Sequence, residues 1–127
     1  MPLTTLTYCS EGLIGAHTHL GDAELKKEIA REVKPCVEWL LAAQNPDGSW
    51  GVAQSADQQR SPGVVTLLVW YYRTVEPDPR IHQAVCKYCQ FLLRPANSKA
   101  YGVKQLVRTT GFVGLAVTEL IQPGVAF

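Results

Sequence analysis

The chain has 127 residues, 46% of them hydrophobic and 18% charged, with a formal net charge of +1. Those values exclude a disordered or fibrous chain, and they exclude a surface whose overall charge would draw it to nucleic acid or an anionic membrane. The length fits one domain around one moderate core, and residues 1–127 are read as a single helical domain.

Period and punctuation place five helical segments. The first runs from about Thr5 to Leu20 and mixes Leu6, Leu13, Ile14 and Ala16 with Gly12 and Gly15; Gly21-Asp22 ends it. The second covers Ala23 to Ala43. Leu25, Ile29, Val33, Cys36, Val37, Leu40 and Leu41 form one apolar stripe, and Lys26, Lys27, Glu28, Arg31, Glu32 and Lys34 fill the other face. Pro35 lies inside this pattern and should kink the helix or split it at Lys34.

The third segment opens at Ser61-Pro62, a cap followed by proline at the first helical position, and runs through Val64 to Val75, apolar nearly all round. Glu76-Pro77-Asp78-Pro79 is a turn that restarts a helix with Asp78 as cap. That fourth helix carries Ile81, Val85, Tyr88 and Leu92 and stops at Arg94-Pro95. The fifth covers about Val103 to Ile121 and ends at Gln122-Pro123-Gly124. Segments one, three and five are mostly apolar, whereas two and four are amphipathic. That alternation predicts two layers, with buried inner helices and half-exposed outer ones.

Two landmarks recur. Trp39-Leu40-Leu41 returns as Phe91-Leu92-Leu93, and Trp50-Gly51 returns as Tyr101-Gly102. Each unit reads helix, turn, helix, then a loop closed by an aromatic residue and glycine, the mark of an internal repeat.

The stretch Trp39-Leu40-Leu41-Ala42-Ala43-Gln44-Asn45-Pro46-Asp47-Gly48-Ser49-Trp50-Gly51 resembles the QW repeat of squalene and oxidosqualene cyclases: aromatic-Leu, three residues, Gln, a spacer, then Gly, any residue, Trp. Related repeats occur in the β subunits of protein prenyltransferases, and the segment from Ser61-Pro62-Gly63 to Arg80 resembles the inner helix and Asp-Pro-Arg turn of such repeats. The second copy, Phe91 to Gly102, lacks the Gln and has Tyr101 for Trp. The resemblance implies an all-α fold of α/α-toroid helix pairs. With about two and a half pairs it would form an open arc: a truncated array, a subunit completed by a partner, or a compact rearrangement. It also implies that Trp39, Leu40, Gln44, Gly48 and Trp50 are structural. The turn chemistry agrees: Pro46 fixes φ, Gly48 accepts positive φ, and Gln44 can bond backbone groups at the helix end, with the Trp50 indole packed beside it.

The family's catalytic signatures have no counterpart. Asp22, Asp47, Asp57 and Asp78 stand alone, so there is no Asp-x-Asp-Asp acid. The residues two before each Cys are Thr7, Lys34, Ala84 and Lys87, so there is no Asp-x-Cys zinc motif. Glu11 and Glu119, on otherwise apolar helices, read either as proton donors or as helix-edge carboxylates. His82, Cys86 and Cys89 share one helical face. They would need a fourth ligand from Cys9, Cys36, His17 or His19 to hold zinc; otherwise they are small core residues, and neither metal nor other cofactor is expected. Trp70, Tyr71 and Tyr72 could wall an isoprenoid-like apolar ligand or simply fill the core. Gly111 and Gly114, with Thr110, Ala116 and Val117, form a smooth strip suited to close helix approach.

The reading is therefore a non-catalytic helical-repeat module that binds another protein or itself to cover the open arc. The alternative is a piece of a terpene cyclase or prenyltransferase, or an isoprenoid carrier. Met1 to Leu6 lacks a basic start and a long apolar run, and the longest apolar stretch, Val64 to Tyr72, falls short of the ~20 residues of a membrane span. With four Cys and no secretory signal, a reducing, cytoplasmic compartment is expected.

Overall fold

The computed structural model describes residues 2–53, 55, 58, 62–94, 114 and 118. Among these, all regular structure is helical: α1 (Leu3–His19), α2 (Ala23–Ala43), α3 (Pro62–Thr74) and α4 (Pro79–Leu93). No helix among them is long and apolar enough to cross a membrane.

The starts of α2 and α4 are built alike. The Asp22 carboxylate accepts hydrogen bonds from the Glu24 and Leu25 amides at 2.9 and 3.1 Å, and the Asp78 carboxylate accepts one from the Arg80 amide at 2.8 Å. Each answers part of the donor surplus of a helix N-terminus. Asp78 and Pro79 take the positions expected of them. Asp22, read as the end of α1, instead begins α2.

The apolar α3 is central: every residue from Val64 to Tyr71 is buried, and this helix packs against α1, α2 and α4. The amphipathic helices turn one stripe to it, Ile29, Val33, Val37 and Leu40 from α2 and Ile81, Ala84, Val85, Tyr88 and Phe91 from α4. At Gly63 the backbone of α3 sits against Thr7 of α1 so closely that an added Cβ would overlap the Thr7 methyl and hydroxyl. Thr7 is buried, and its hydroxyl has no hydrogen-bond partner.

Two expectations are corrected. Pro35 does not split α2, which is one continuous helix. Pro35 and Arg31, whose carbonyl loses its partner, are both exposed, so that carbonyl can turn to solvent while the buried stripe keeps its register. And α1, expected as a buried inner helix starting near Thr5, starts at Leu3 and buries only one face: Leu3, Leu6, Thr7, Ser10 and Ile14. The fifth segment lies outside the described residues except Gly114 and Thr118. Both are helical, and the Thr118 hydroxyl donates to the Gly114 carbonyl at 2.8 Å. Gly111 and Tyr101-Gly102 also lie outside them.

Candidate functional site

The turn after α2 is organised by short polar side chains. The Asn45 amide nitrogen donates to the Ser49 carbonyl at 2.8 Å, and the Gly48 amide to the Asn45 carbonyl at 2.9 Å. Asn45 Nδ2 donates to Ser49 Oγ and to the Gly51 carbonyl, and Asp47 Oδ1 accepts both the Ser49 amide and the Ser49 hydroxyl, the latter at 2.6 Å. Partial desolvation pushes the Asp47 carboxyl upward, but the Ser49 donors and the nearby Arg94 charge outweigh it and hold the group below the usual carboxylate range. Gly48 and Gly51 adopt φ of +94° and +83°, the left-handed region that glycine tolerates best.

This turn is fastened to α4. Gln44 Nε2 donates to the Gly48 carbonyl at 3.0 Å and to the Ala84 carbonyl at 2.8 Å. Gly48 lies directly on the Lys87 backbone, where a Cβ would overlap the carbonyl. The fully buried Trp50 donates its indole N–H to Leu40 in the last turn of α2 at 2.8 Å, and its ring meets Tyr88 at 5.3 Å between centroids. Ala84, Lys87 and Tyr88 are one face of α4 at spacings of three and four. Leu40, Gln44, Gly48 and Trp50 thus hold the positions that suit a structural role, and the ring that meets Trp50 belongs to Tyr88.

Trp39 differs. It is 37% exposed, whereas Phe91, aligned with it in the sequence, is buried. Trp39 lines an open groove of about 680 Å³ together with Leu3, Pro46, Asp47, Trp50, Val52 and neighbouring small or polar residues. Sequence reasoning missed this groove. The alternation Asn45-x-Asp47-x-Ser49, three short polar side chains in a row of turn residues, is the signal that marks its wall.

The other named residues do not converge. Trp70 and Tyr71 are core side chains: Trp70 meets the His17 ring edge-on at 5.1 Å, and the Tyr71 hydroxyl donates to Glu76 at 3.4 Å. Tyr72 borders a separate cleft of about 90 Å³ with Val69, His82 and Val85, well below the ~300 Å³ at which ligand pockets begin. On α4, Cys86 Sγ lies 3.9 Å from both ring nitrogens of His82. Cys86 is exposed, and burial pushes the Cys89 thiol up, with the neighbouring Cys86 adding to it. Among the described residues no three His, Cys, Asp or Glu side chains gather where they could hold a metal ion. Glu11 is partly desolvated, which raises its pKa.

Ion pairs fix the α3–α4 turn to α2. Lys34 meets Glu76 at 3.1 Å, and Arg80 bridges Glu38 at 2.7 Å and Asp78 at 2.6 Å. The hydrogen bonds to Arg80 lower the pKa of both carboxyls. These groups are engaged with one another, which leaves that face a strut between elements.

Comparison with known proteins adds no relative: no protein-family model, no curated protein and no solved structure matches the chain.

Proposed function

We propose that the chain is a helical-repeat module without catalysis of its own, similar in plan to terpenoid-cyclase repeats, that joins another protein or completes a larger helical assembly through α1. One observation carries this reading. The outer side of α1 and its C-cap expose large apolar residues: Tyr8, Leu13 and Leu20 are 46%, 37% and 48% exposed, alongside the polar or small Thr5, Cys9 and His19. Between them, Gly12 has nothing within 4 Å of where a Cβ would stand. A helix with apolar residues on two faces suits a position inside an array, with neighbours on both sides.

Light scattering over a concentration series, combined with binding of a hydrophobic dye, tests it. The expected result is self-association or strong dye binding, reduced in Leu13→Glu. A chain that stays monomeric at every concentration and binds no dye overturns it. Saturable binding of a labelled isoprenoid diphosphate, unaffected by Leu13→Glu, would favour the carrier or cyclase-related alternative instead.

A further inference from the structure

The groove beside α2 is separate from the open face of α1, and its chemistry can be read on its own. Its base is buried, formed by Leu3 and Trp50, and its rim is exposed, with Trp39 at 37% and Val52 at 76%. The wall between them is the turn of residues 45–51, already fixed by its internal hydrogen bonds and by two glycines at positive φ. A ligand therefore meets a preformed surface and does not have to order the loop on binding.

Among the described residues the polar groups left available are few. Both Asn45 Nδ2 hydrogens, the Ser49 hydroxyl and the Trp50 indole N–H already have acceptors within the protein. Asp47 is the one charged side chain among the described residues lining the groove. Its Oδ1 takes both Ser49 bonds, and its Oδ2 accepts no hydrogen bond from another described residue. Against partial desolvation, the Ser49 donors and the nearby Arg94 charge hold its carboxyl below the usual range. The rim adds the Trp39 indole, whose ring face attracts cations and whose N–H can donate to a carbonyl. Among the described residues the rest of the lining is Leu3, Ala43, Pro46, Val52 and Ala53, all apolar, with Gly51 and the buried Gln58, whose side-chain amide donates to the Ser49 hydroxyl.

We infer that this groove is a binding site for an extended peptide segment of a partner protein in which a basic residue stands next to a bulky apolar one. The basic side chain reaches the outer Asp47 oxygen across the Trp39 ring. The apolar side chain fills the space over Leu3 and Trp50, and a backbone carbonyl accepts from the Trp39 indole N–H. The charge complementarity selects this occupant: an acidic segment would be repelled by the Asp47 carboxylate, and a purely apolar one would offer its outer oxygen no partner at the contact.

Selection of a phage-displayed library of random dodecapeptides on the intact chain, followed by fluorescence titration of the enriched peptides, tests this. The enriched pool is expected to share Lys or Arg beside Leu, Phe or Trp. Those peptides should bind Trp39→Ala at least about tenfold more weakly, as for an aromatic anchor. Asp47→Asn keeps an acceptor for the Ser49 bonds and removes only charge, so the loss there should be about three- to fivefold, the size of one partly exposed ion pair. A charge swap at the exposed rim serves as a second check independent of folding: Val52→Lys should weaken binding and Val52→Glu should not. No enrichment, an acidic or purely apolar consensus, equal affinity for Trp39→Ala, or indifference to the sign of the charge at position 52 each overturns the inference.

Discussion

The side-chain amide of Gln44 donates to the Ala84 carbonyl at 2.8 Å, joining the end of α2 to the middle of α4 across forty positions of sequence. The same nitrogen donates to the Gly48 carbonyl at 3.0 Å, so one side chain closes a local turn and a tertiary contact together.

Gln44→Ala should therefore destabilise the chain by about 1–3 kcal/mol, since two partly buried carbonyls lose a donor. Gln44→Glu should be at least as damaging, because a carboxylate would face those carbonyls. Urea denaturation midpoints check this, and a shift within error for both variants would remove the structural role of Gln44.

Gly48→Ala strains the chain twice, through φ of +94° and through overlap with the Lys87 carbonyl. The backbone conformation alone costs ~1–3 kcal/mol, so the thermal midpoint should fall by several degrees. Gly12→Ala is the control, because its Cβ would enter open space; that variant should match or exceed the parent.

The Thr7 hydroxyl is buried without a partner, so Thr7→Val should stabilise by up to ~1 kcal/mol by removing an unanswered polar group. Gly63→Ala should destabilise through collision with the Thr7 side chain, and Thr7→Ala should recover part of that loss. A double-mutant cycle in denaturant measures the coupling; strictly additive effects would contradict the close approach of α1 and α3.

His17 has a lowered pKa, first because packing desolvates it and second because Lys26 lies nearby. The folded state thus binds its proton more weakly than the unfolded chain does. The stability His17 contributes is fully present above its ordinary value of 6.5 and is lost as the pH falls below that value toward the depressed folded one. Thermal midpoints should decline across this window before the carboxylates titrate. His17→Phe, which keeps a ring against Trp70, should flatten that part of the profile; an unchanged slope would count against the assignment.

Much of the fold was legible because local chemistry and burial agree. Asp78-Pro79 is both cap and first helical residue, and the three-four spacing of Ile29, Val33, Val37 and Leu40 is also the buried stripe of α2. Pro35 was read as kinking or splitting the helix; it does not split α2, because on an exposed face the freed carbonyl can turn to solvent while the buried stripe holds the helix together. Asp22 was read as a terminator because one residue can stand between two helices and cap the second. Trp39 was harder. Motif spacing placed it with Trp50 as one structural set, but exposure depends on which way the chain leaves the turn, and that is fixed by Gln44, just past the end of α2, and Lys87, within α4. The aromatic run Trp70 to Tyr72 suggested one wall. On a helix, consecutive side chains point about 100° apart, and the three rings end up in different surroundings.

The fastening of the 44–51 turn to α4 changes how α2 can open. A helix ordinarily frays from its ends, but releasing the last turn of α2 here requires breaking the Trp50 bond to Leu40 and lifting Gln44 and Gly48 off α4. Amide protons in that last turn should consequently exchange with solvent nearly as slowly as those at the centre of α3, while the first turn of α2, capped only by the exposed Asp22, exchanges first. The most protected end of α2 is then the one that meets the loop.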